Sequence, residues 1–236
     1  TLLGRSPLGI TTGQGAFVRG LRPVDAARRR VDESYRLPAG KRRERTVAGR
    51  ELVLLLENAA GGRMELVVRA HDDGMAYRYR VAGIPGAVVR SEESGFAVPQ
   101  GAEGYLLPYD LEGLLFFGTY EMAPARVPAG TATTSSGWAY PALFELPGDQ
   151  DFLLITEADL DKGYCGTRLA PEPEGGIYRV RFPAEREGNG IGQTEPVVAD
   201  DLVTPWRVVL AGDAATLVAS TLVDDLGRPG PEEDTS

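Results

Sequence analysis

Cysteine and histidine are almost missing from this sequence, which has only Cys165 and His71 among its 236 residues. A single cysteine permits no internal disulfide, so packing alone must hold the fold together. A catalytic cysteine–histidine pair is not expected, because the two residues lie far apart in sequence and no third partner is evident. One cysteine and one histidine are also too few for a zinc site. His71 precedes an Asp-Asp-Gly turn and is predicted to lie at the edge of that turn.

Long apolar runs and several enzyme motifs are also absent. No apolar run approaches the roughly 20 residues of a membrane span, so no membrane span is expected. The sequence contains neither Gly-x-Ser-x-Gly nor His-Glu-x-x-His. Its glycine-containing stretches at 13–20 and 59–63 lack the strand–loop–helix context of a nucleotide site. The 34 Asp and Glu residues are not paired across a cleft by any motif, so a two-carboxylate glycosidase site within the chain stays an open alternative.

Positive charge is scarce overall and concentrated in one segment. The formal net charge is −9 and the sequence pI is near 4.8, so the surface repels phosphate backbones and no nucleic-acid partner is expected. Residues 27–45 are the exception, because eight basic residues there alternate with a few acidic ones. The pattern predicts a solvated, Arg-rich edge strand and turn, with a binding patch as the alternative. The basic residues are Arg28, Arg29, Arg30, Arg36, Lys41, Arg42, Arg43 and Arg45.

Short apolar runs separated by Gly, Pro and acidic turns fill most of the chain. Residues 51–58 and 63–71 flank the turn Ala-Ala-Gly-Gly and predict a hairpin, and the strictly alternating run 75–81 extends it to a three-stranded meander. One face of these strands is predicted to be buried and the other partly solvated. Further strands are predicted at 114–121, 138–146, 151–158, 176–183 and 204–212. The sequence therefore predicts an all-β fold, an antiparallel sandwich of two large sheets.

The segment after the last predicted strand has helical periodicity. Asp213 suits an N-cap position, and Gly227 suits the C′ position. Between them, apolar residues recur at helical spacing and form one stripe. We expect a single amphipathic helix of about three to four turns, lying on the outside of a sheet or on a neighbouring domain. The stripe consists of Ala214, Leu217, Val218, Leu222, Val223 and Leu226.

Several segments resemble the N-terminal domain of glycoside hydrolase family 97. The similar stretches are SPLGI (6–10), ESYRLPAGKRRER, LENAAGGRMELVVRAHDDGMAYRYRV, LLITEADLDKGYCGTRL (153–169) and, most specifically, TPWRVVLAGDAATLVASTLVDDL. LGRPG stands where the family often has Asn, a small departure. The resemblance implies a galactose-mutarotase-like β-supersandwich at 1–228 with a C-terminal helix. It also implies a linker at 229–236 toward a catalytic (β/α)₈ barrel.

The resemblance also implies a role for the chain. The acid and base carboxylates of family 97 lie on the barrel, so no residue here is expected to be catalytic, and the chain alone is expected to be inactive. Family members resemble calcium-dependent enzymes acting on α-glucosides or α-galactosides. The resemblance implies that Glu157 is one calcium ligand, with Asp159 or Asp161 as alternatives, and that this chain alone binds calcium weakly. Its partners would be its own C-terminal barrel and a carbohydrate substrate, in a periplasmic or extracellular location.

Two other functions stay open from the residues alone. A free-standing carbohydrate-binding module would use exposed aromatic rings, and Trp138, Tyr105 and Tyr109 are the candidates. A mutarotase-type epimerase needs a general acid and a general base in one cleft, which a single histidine beside a turn makes a poor fit. Trp206, followed by an apolar run, is predicted to belong to the core, and Arg207 beside it to be a salt-bridge or stacking partner.

Overall fold

The computed structural model describes residues 2–109, 123–148, 151–185, 187 and 193–227. Antiparallel strands dominate these residues, and the only α-helices within them are two short ones near residue 220. The all-β prediction is therefore confirmed. The predicted strand at 114–121 and the predicted linker at 229–236 lie outside the described residues. No helix in the described ranges is long and apolar enough to cross a membrane.

Sixteen strands and two α-helices are assigned in the described ranges, together with one 3₁₀ turn at Glu174–Gly176. The strands are β1 (Ile10–Thr12), β2 (Gly15–Phe17), β3 (Arg22–Arg36), β4 (Glu44–Glu57), β5 (Arg63–His71), β6 (Gly74–Val81), β7 (Val89–Glu92), β8 (Gly95–Ala97), β9 (Glu103–Leu106), β10 (Ala125–Pro128), β11 (Ala142–Glu145), β12 (Phe152–Ala158), β13 (Arg168–Leu169), β14 (Ile177–Arg181), β15 (Leu202–Val203) and β16 (Trp206–Gly212). The helices are α1 (Ala214–Ala219) and α2 (Leu222–Leu226).

One ten-stranded antiparallel sheet forms the body of the described structure. Its order is β10-β9-β11-β12-β16-β6-β5-β4-β3, with β15 pairing additionally with β6. Two three-stranded sheets, β2-β1-β7 and β13-β14-β8, complete the β-structure. The sequence predicted two large sheets instead. The difference arises at β16, which pairs with β12 on one side and with β6 on the other and so joins the two halves into one sheet.

The predicted hairpin and meander are confirmed, although β3 and β4 are longer than the sequence patterns indicated. β4 pairs with β5 from Arg50↔Ala70 to Glu57↔Arg63, and β5 continues into β6. The side chain of Asn58 organises the turn between β4 and β5, because its Oδ1 accepts from the backbone N–H groups of Ala60 and Gly62 at 3.0 and 2.9 Å. An Asn side chain that bonds its own following backbone is typical of a tight turn.

Apolar side chains pack on both faces of the large sheet. The inner core lies between this sheet and the small sheets. The outer core lies on the opposite face, where α1 and α2 pack against β12 and β16. The second face of β5 is partly solvated, as predicted: the side chain of Glu65 is 40% exposed, whereas Val67 is fully buried. The inner core includes Ile10, Tyr79, Phe96, Phe144, Leu153, Ile155, Tyr178 and Val209, and the outer core includes Val67, Ala76, Ala158, Trp206, Val208, Leu210, Leu222 and Leu226.

The closing segment forms two short helices and not the single helix that its periodicity predicts. Asp213 caps α1 as predicted, with its carboxylate accepting from the N–H of Thr216 at 2.8 Å. The backbone leaves helical geometry at Ser220 (ψ 143°) and at Thr221 (φ −125°). Because the axis changes at this break, only part of the stripe meets the sheet: Leu222 is buried, whereas Val218 is 73% exposed. Gly227 follows α2 with φ −71°, not the left-handed conformation of a C′ glycine.

The Arg-rich segment is an edge strand and turn, as predicted, and its tip also holds the helices in place. Tyr35 donates its hydroxyl to Asp225 at 2.7 Å, and Lys41 donates to the backbone carbonyls of Val218 and Ser220. Arg45 is buried and pairs with Asp225. The β3–β4 hairpin therefore folds over α1 and α2 and fixes them against the outer core.

Candidate functional site

Glu157 lies near the end of β12, directly opposite Arg207 of β16. Leu153 and Ile155 precede it at alternate positions and belong to the inner core, so strand alternation directs the Glu157 side chain to the same face. Oε2 accepts from Arg207 Nη1 at 2.5 Å and from Thr167 Oγ1 at 2.8 Å, and Oε1 accepts from the Thr167 N–H at 3.1 Å. The side chain keeps 15% of its surface exposed. Glu157 is thus a firmly held carboxylate at the boundary between core and solvent.

Arg207 connects Glu157 to a second, fully buried carboxylate. Its Nε and Nη2 donate to the two oxygens of Glu92 at 2.7 and 2.6 Å, a bidentate pair. Tyr164 also donates its hydroxyl to Glu92, at 3.0 Å. Burial alone would lower the pKa of Arg207, but the facing carboxylates of Glu92 and Glu157 outweigh it and hold that pKa well above its ordinary value. One guanidinium and two carboxylates leave this Glu92–Arg207–Glu157 trio with a net charge of −1.

The groups next to this trio are not set up for acid–base or nucleophilic chemistry. Burial raises the pKa of the Cys165 thiol to about 12, so the reactive thiolate is scarce at neutral pH. Burial also raises the pKa values of Tyr140 and Tyr164 above the ordinary value of a phenol. These side chains stay protonated and neutral around the trio.

The two alternative metal ligands do not gather at Glu157. Asp159 has a positive φ of 59° and pairs with Arg78 at 3.1 Å, and Arg78 stacks on the outer-core residue Trp206. Asp161 instead accepts from the N–H of Gly163 at 2.7 Å and shapes its own turn. Within the described ranges, no three or more His, Cys, Asp or Glu residues lie close enough together to hold a metal ion.

Whether this site could hold calcium depends on the lone pairs of the Glu157 carboxylate that are not used in hydrogen bonds. Oε1 accepts a single hydrogen bond among the described residues, and a carboxylate oxygen has two lone pairs. Calcium takes six to eight oxygen ligands, often including carboxylates. Glu157 fits as one ligand of such an ion, and no cluster of three or more His, Cys, Asp or Glu within the described ranges supplies the rest.

The aromatic candidates for sugar stacking are mostly engaged elsewhere. Trp138 is 3% exposed and belongs to the inner core, so its ring face is not available in this structure. Tyr105 donates to Glu145 at 2.9 Å, and Tyr109 donates to Glu187 at 2.6 Å and lies under the guanidinium of Arg168. Trp206 is fully buried, which confirms its predicted place in the core.

Sequence reasoning identified Glu157 and expected a salt bridge for Arg207, and the structure places these two together. It missed Glu92 and Thr167. Glu92 lies 115 residues before Arg207 in the chain, and its own sequence context, SEES, is that of an exposed polar turn. The sequence could have predicted only that an arginine within a buried strand has a carboxylate partner, not which carboxylate it is.

The sequence profile described as glycosyl-hydrolase 97 N-terminal matches residues 1–229, almost the whole chain. The chain belongs to this family. A "probable retaining alpha-galactosidase" of Streptomyces bingchenggensis (strain BCW-1) is 38% identical over 237 residues, which are 100% of this chain and 34% of that protein. The chain thus spans about a third of the length of this Streptomyces protein.

Solved structures agree with the family 97 fold. A crystal structure of a beta-arabinopyranosidase matches with a TM-score of 0.86 and 29% identity, over 94% of this chain and 37% of that one. A glycoside hydrolase family 97 enzyme from Pseudoalteromonas sp. strain K8, in complex with acarbose, matches with a TM-score of 0.83 and 21% identity, over 100% of this chain and 35% of that one. The latter similarity concerns the fold alone. The predicted β-supersandwich fold is confirmed.

Proposed function

We propose that this family 97 N-terminal domain is the non-catalytic part of a calcium-dependent glycoside hydrolase acting on α-glucosides or α-galactosides. The single observation that supports this most is the profile match over residues 1–229 to a domain described as N-terminal. The 38% identical relative, named as a probable retaining alpha-galactosidase, supports the substrate class. The tightly paired carboxylates of the trio also suit a structural role better than that of a general acid or base.

The partner in this proposal is a C-terminal catalytic barrel of the same protein. This domain would pack on the barrel and close one side of the sugar pocket. The enzyme would work in the periplasm or outside the cell, as the resemblance implies. Its relatives extend far beyond the matched region, which accounts for only 34% to 37% of their length.

Glu157 is the residue through which this domain would contribute to the active site. Its Oε1 would be one oxygen ligand of calcium, with the remaining ligands supplied by the barrel. Calcium, when bound, would supply a Lewis acid beside the sugar. Arg207 and Thr167 hold the carboxylate in place, so little side-chain entropy is lost when it becomes a ligand.

Turnover measurements test the proposal. The purified 236-residue chain should not hydrolyse aryl α-glucosides or aryl α-galactosides, whereas the longer protein that includes the barrel should hydrolyse one of them. Hydrolysis by the chain alone, abolished by substitution of one of its own carboxylates, would contradict the proposal. The coding sequence downstream of Ser236 provides an independent check, because it should continue into a strand–helix repeat of barrel length.

The carbohydrate-binding module is the rival, and calorimetry separates the two proposals. Trp138 is buried, and the guanidinium groups of Arg126 and Arg168 lie over the rings of Tyr105 and Tyr109, 5.7 and 4.6 Å from the ring centroids. We therefore expect no heat of binding when monosaccharides and oligosaccharides are titrated into the chain at millimolar concentration. Saturable binding of an oligosaccharide would favour the rival.

A further inference from the structure

Glu157 shares its arginine with Glu92, and the sharing is unequal. Glu92 receives two N–H donors of Arg207, at 2.7 and 2.6 Å, and Glu157 receives one, at 2.5 Å. The side chains of Arg207 and Glu92 are both 0% exposed. Glu157 is therefore the only member of the trio whose side chain contacts solvent, and the net charge of the trio is exposed there.

We propose that Glu92 is a positioning residue for a divalent cation at Glu157: it occupies Arg207 and thereby leaves the exposed carboxylate with uncompensated negative charge. The inference rests on the proposed calcium role of Glu157 and adds what sets the affinity there. An arginine paired with Glu157 alone would neutralise it. With Glu92 present, the trio keeps a net charge of −1, and that charge is presented to solvent at Glu157.

Burial makes this effect large. Charges separated by a few ångströms interact much more strongly inside a protein than in water, because the effective dielectric constant is lower. The carboxylate of Glu92 therefore acts on Glu157 through Arg207 without touching the cation itself. Thr167 completes the arrangement, since its N–H and hydroxyl fix the orientation of the Glu157 carboxylate.

A purely structural role for Glu92 makes a different prediction. If Glu92 only compensates a buried arginine, its replacement lowers stability and leaves cation binding unchanged. Glu51 provides a matched control for that case. Like Glu92, Glu51 is buried, and its carboxylate accepts hydrogen bonds from Arg29 and Arg69 at 2.6 and 2.8 Å. Val53, two positions along the same strand, packs against the outer core.

The experiment uses the intact longer enzyme and measures the calcium-dependent rise in its unfolding temperature after chelation. E157Q should abolish this rise. E92Q should increase the calcium concentration for half-maximal stabilisation about tenfold, equivalent to about 1.4 kcal/mol. E51Q should lower the unfolding temperature in the absence of calcium and keep the wild-type calcium midpoint. The double variant E92Q/R207Q restores the net charge of −1 and should return the midpoint to within about threefold of wild type.

Each outcome is decisive. A wild-type calcium midpoint in E92Q overturns the inference, while a wild-type response in E157Q overturns the proposed role of Glu157 and the inference with it. A shifted midpoint in E51Q equal to that of E92Q shows a general effect of lost stability and also overturns the inference. If E92Q does not fold, the double variant carries the test, because it leaves no fully buried charge unpaired. Glu157 keeps 15% of its side chain exposed and retains its two hydrogen bonds from Thr167. A midpoint more than about threefold from wild type in the double variant then contradicts the charge argument.

Discussion

At the scale of single residues, the described structure places ionised side chains where apolar ones usually lie. Arg207 and Glu92 are both within the core. Such pairs are expensive to break, because removal of one partner leaves the other charge buried and uncompensated. The residues that we propose to prepare Glu157 for calcium therefore also contribute to the stability of the fold, and only measurements that separate stability from binding distinguish the two roles.

Substitution of Arg207 should destabilise the chain strongly. R207M leaves the carboxylates of Glu92 and Glu157 without their shared cation, and we expect a loss of about 3–5 kcal/mol in the free energy of unfolding. Urea unfolding of the 236-residue chain measures it. R36M is the matched control, since Arg36 pairs with Glu44 and both side chains are mostly exposed to solvent; it should change the free energy by less than about 1 kcal/mol. Equal losses in both variants would contradict the importance of burial.

Glu51 should make the free energy of unfolding depend on pH in the acidic range. Burial alone would raise its pKa, but hydrogen bonds from Arg29 and Arg69 outweigh burial and lower the pKa from 4.5 to about 2. Because the folded-state pKa is the lower one, the ionised Glu51 adds stability that is complete above about pH 4.5 and is lost as the pH falls toward 2. We expect E51Q to cost on the order of 2 kcal/mol at neutral pH, measured by urea unfolding.

The pH series provides the check on that assignment. The difference between wild type and E51Q should shrink steadily below about pH 4, since the wild-type carboxyl becomes protonated there. E44Q is the control at an exposed pair of the same hairpin, and it should change stability little at any pH. A difference between wild type and E51Q that stays constant down to pH 2.5 would show that the pairs with Arg29 and Arg69 are not its source.

At the scale of elements, the longer strands are well indicated by their local sequence, whereas the short strands and the break between the helices are not. Alternating patterns at 63–71, 75–81 and 151–158 lie within one or two residues of β5, β6 and β12. The helical stripe, in contrast, continues through Ser220, where the observed chain turns. The path of that segment is set by tertiary contacts. Leu222 and Leu226 pack in the outer core, and Tyr35 and Lys41 form hydrogen bonds to the two helices and the residue between them.

The contribution of α2 to the outer core predicts different results for two similar truncations. L222A removes a side chain that is 2% exposed in the outer core, and we expect a loss of about 2–4 kcal/mol in the free energy of unfolding. V218A removes a side chain on α1 that is mostly exposed, and it should cost less than about 0.5 kcal/mol. Denaturant unfolding measures both. Similar losses in the two variants would mean that a single continuous helix meets the sheet.

At the scale of the whole molecule, the two cores are the two faces of one sheet. Val208 and Val209 are adjacent in β16, yet one belongs to the outer core and the other to the inner core. Unfolding of either core exposes a face of the same strands. The described structure should therefore unfold as a single cooperative unit.

The two tryptophans report the two cores separately. Trp138 lies in the inner core and Trp206 in the outer core, so W206F and W138F each leave one reporter. In each variant, the fluorescence transition should coincide with the far-ultraviolet circular dichroism transition of that same variant. Comparison within one variant removes the effect of the substitution on stability. A Trp206 transition that precedes loss of strand signal would show that the helices and the outer core detach first.

The sequence by itself determined the longer strands, the Ala-Ala-Gly-Gly turn, the Asp213 cap, the all-β class and, through its resemblance to family 97, the fold and the candidate residue Glu157. These are properties of neighbouring residues, whose periodicity and turn chemistry act over a few positions.

Only the tertiary structure decided how the pieces join. It made one ten-stranded sheet by pairing β16 on both sides, it broke the closing helix, and it brought Glu92 to Arg207 across 115 residues. Such contacts depend on which elements lie side by side. A charge pair that would add little stability in solvent becomes necessary when it is buried, because either charge alone is costly there.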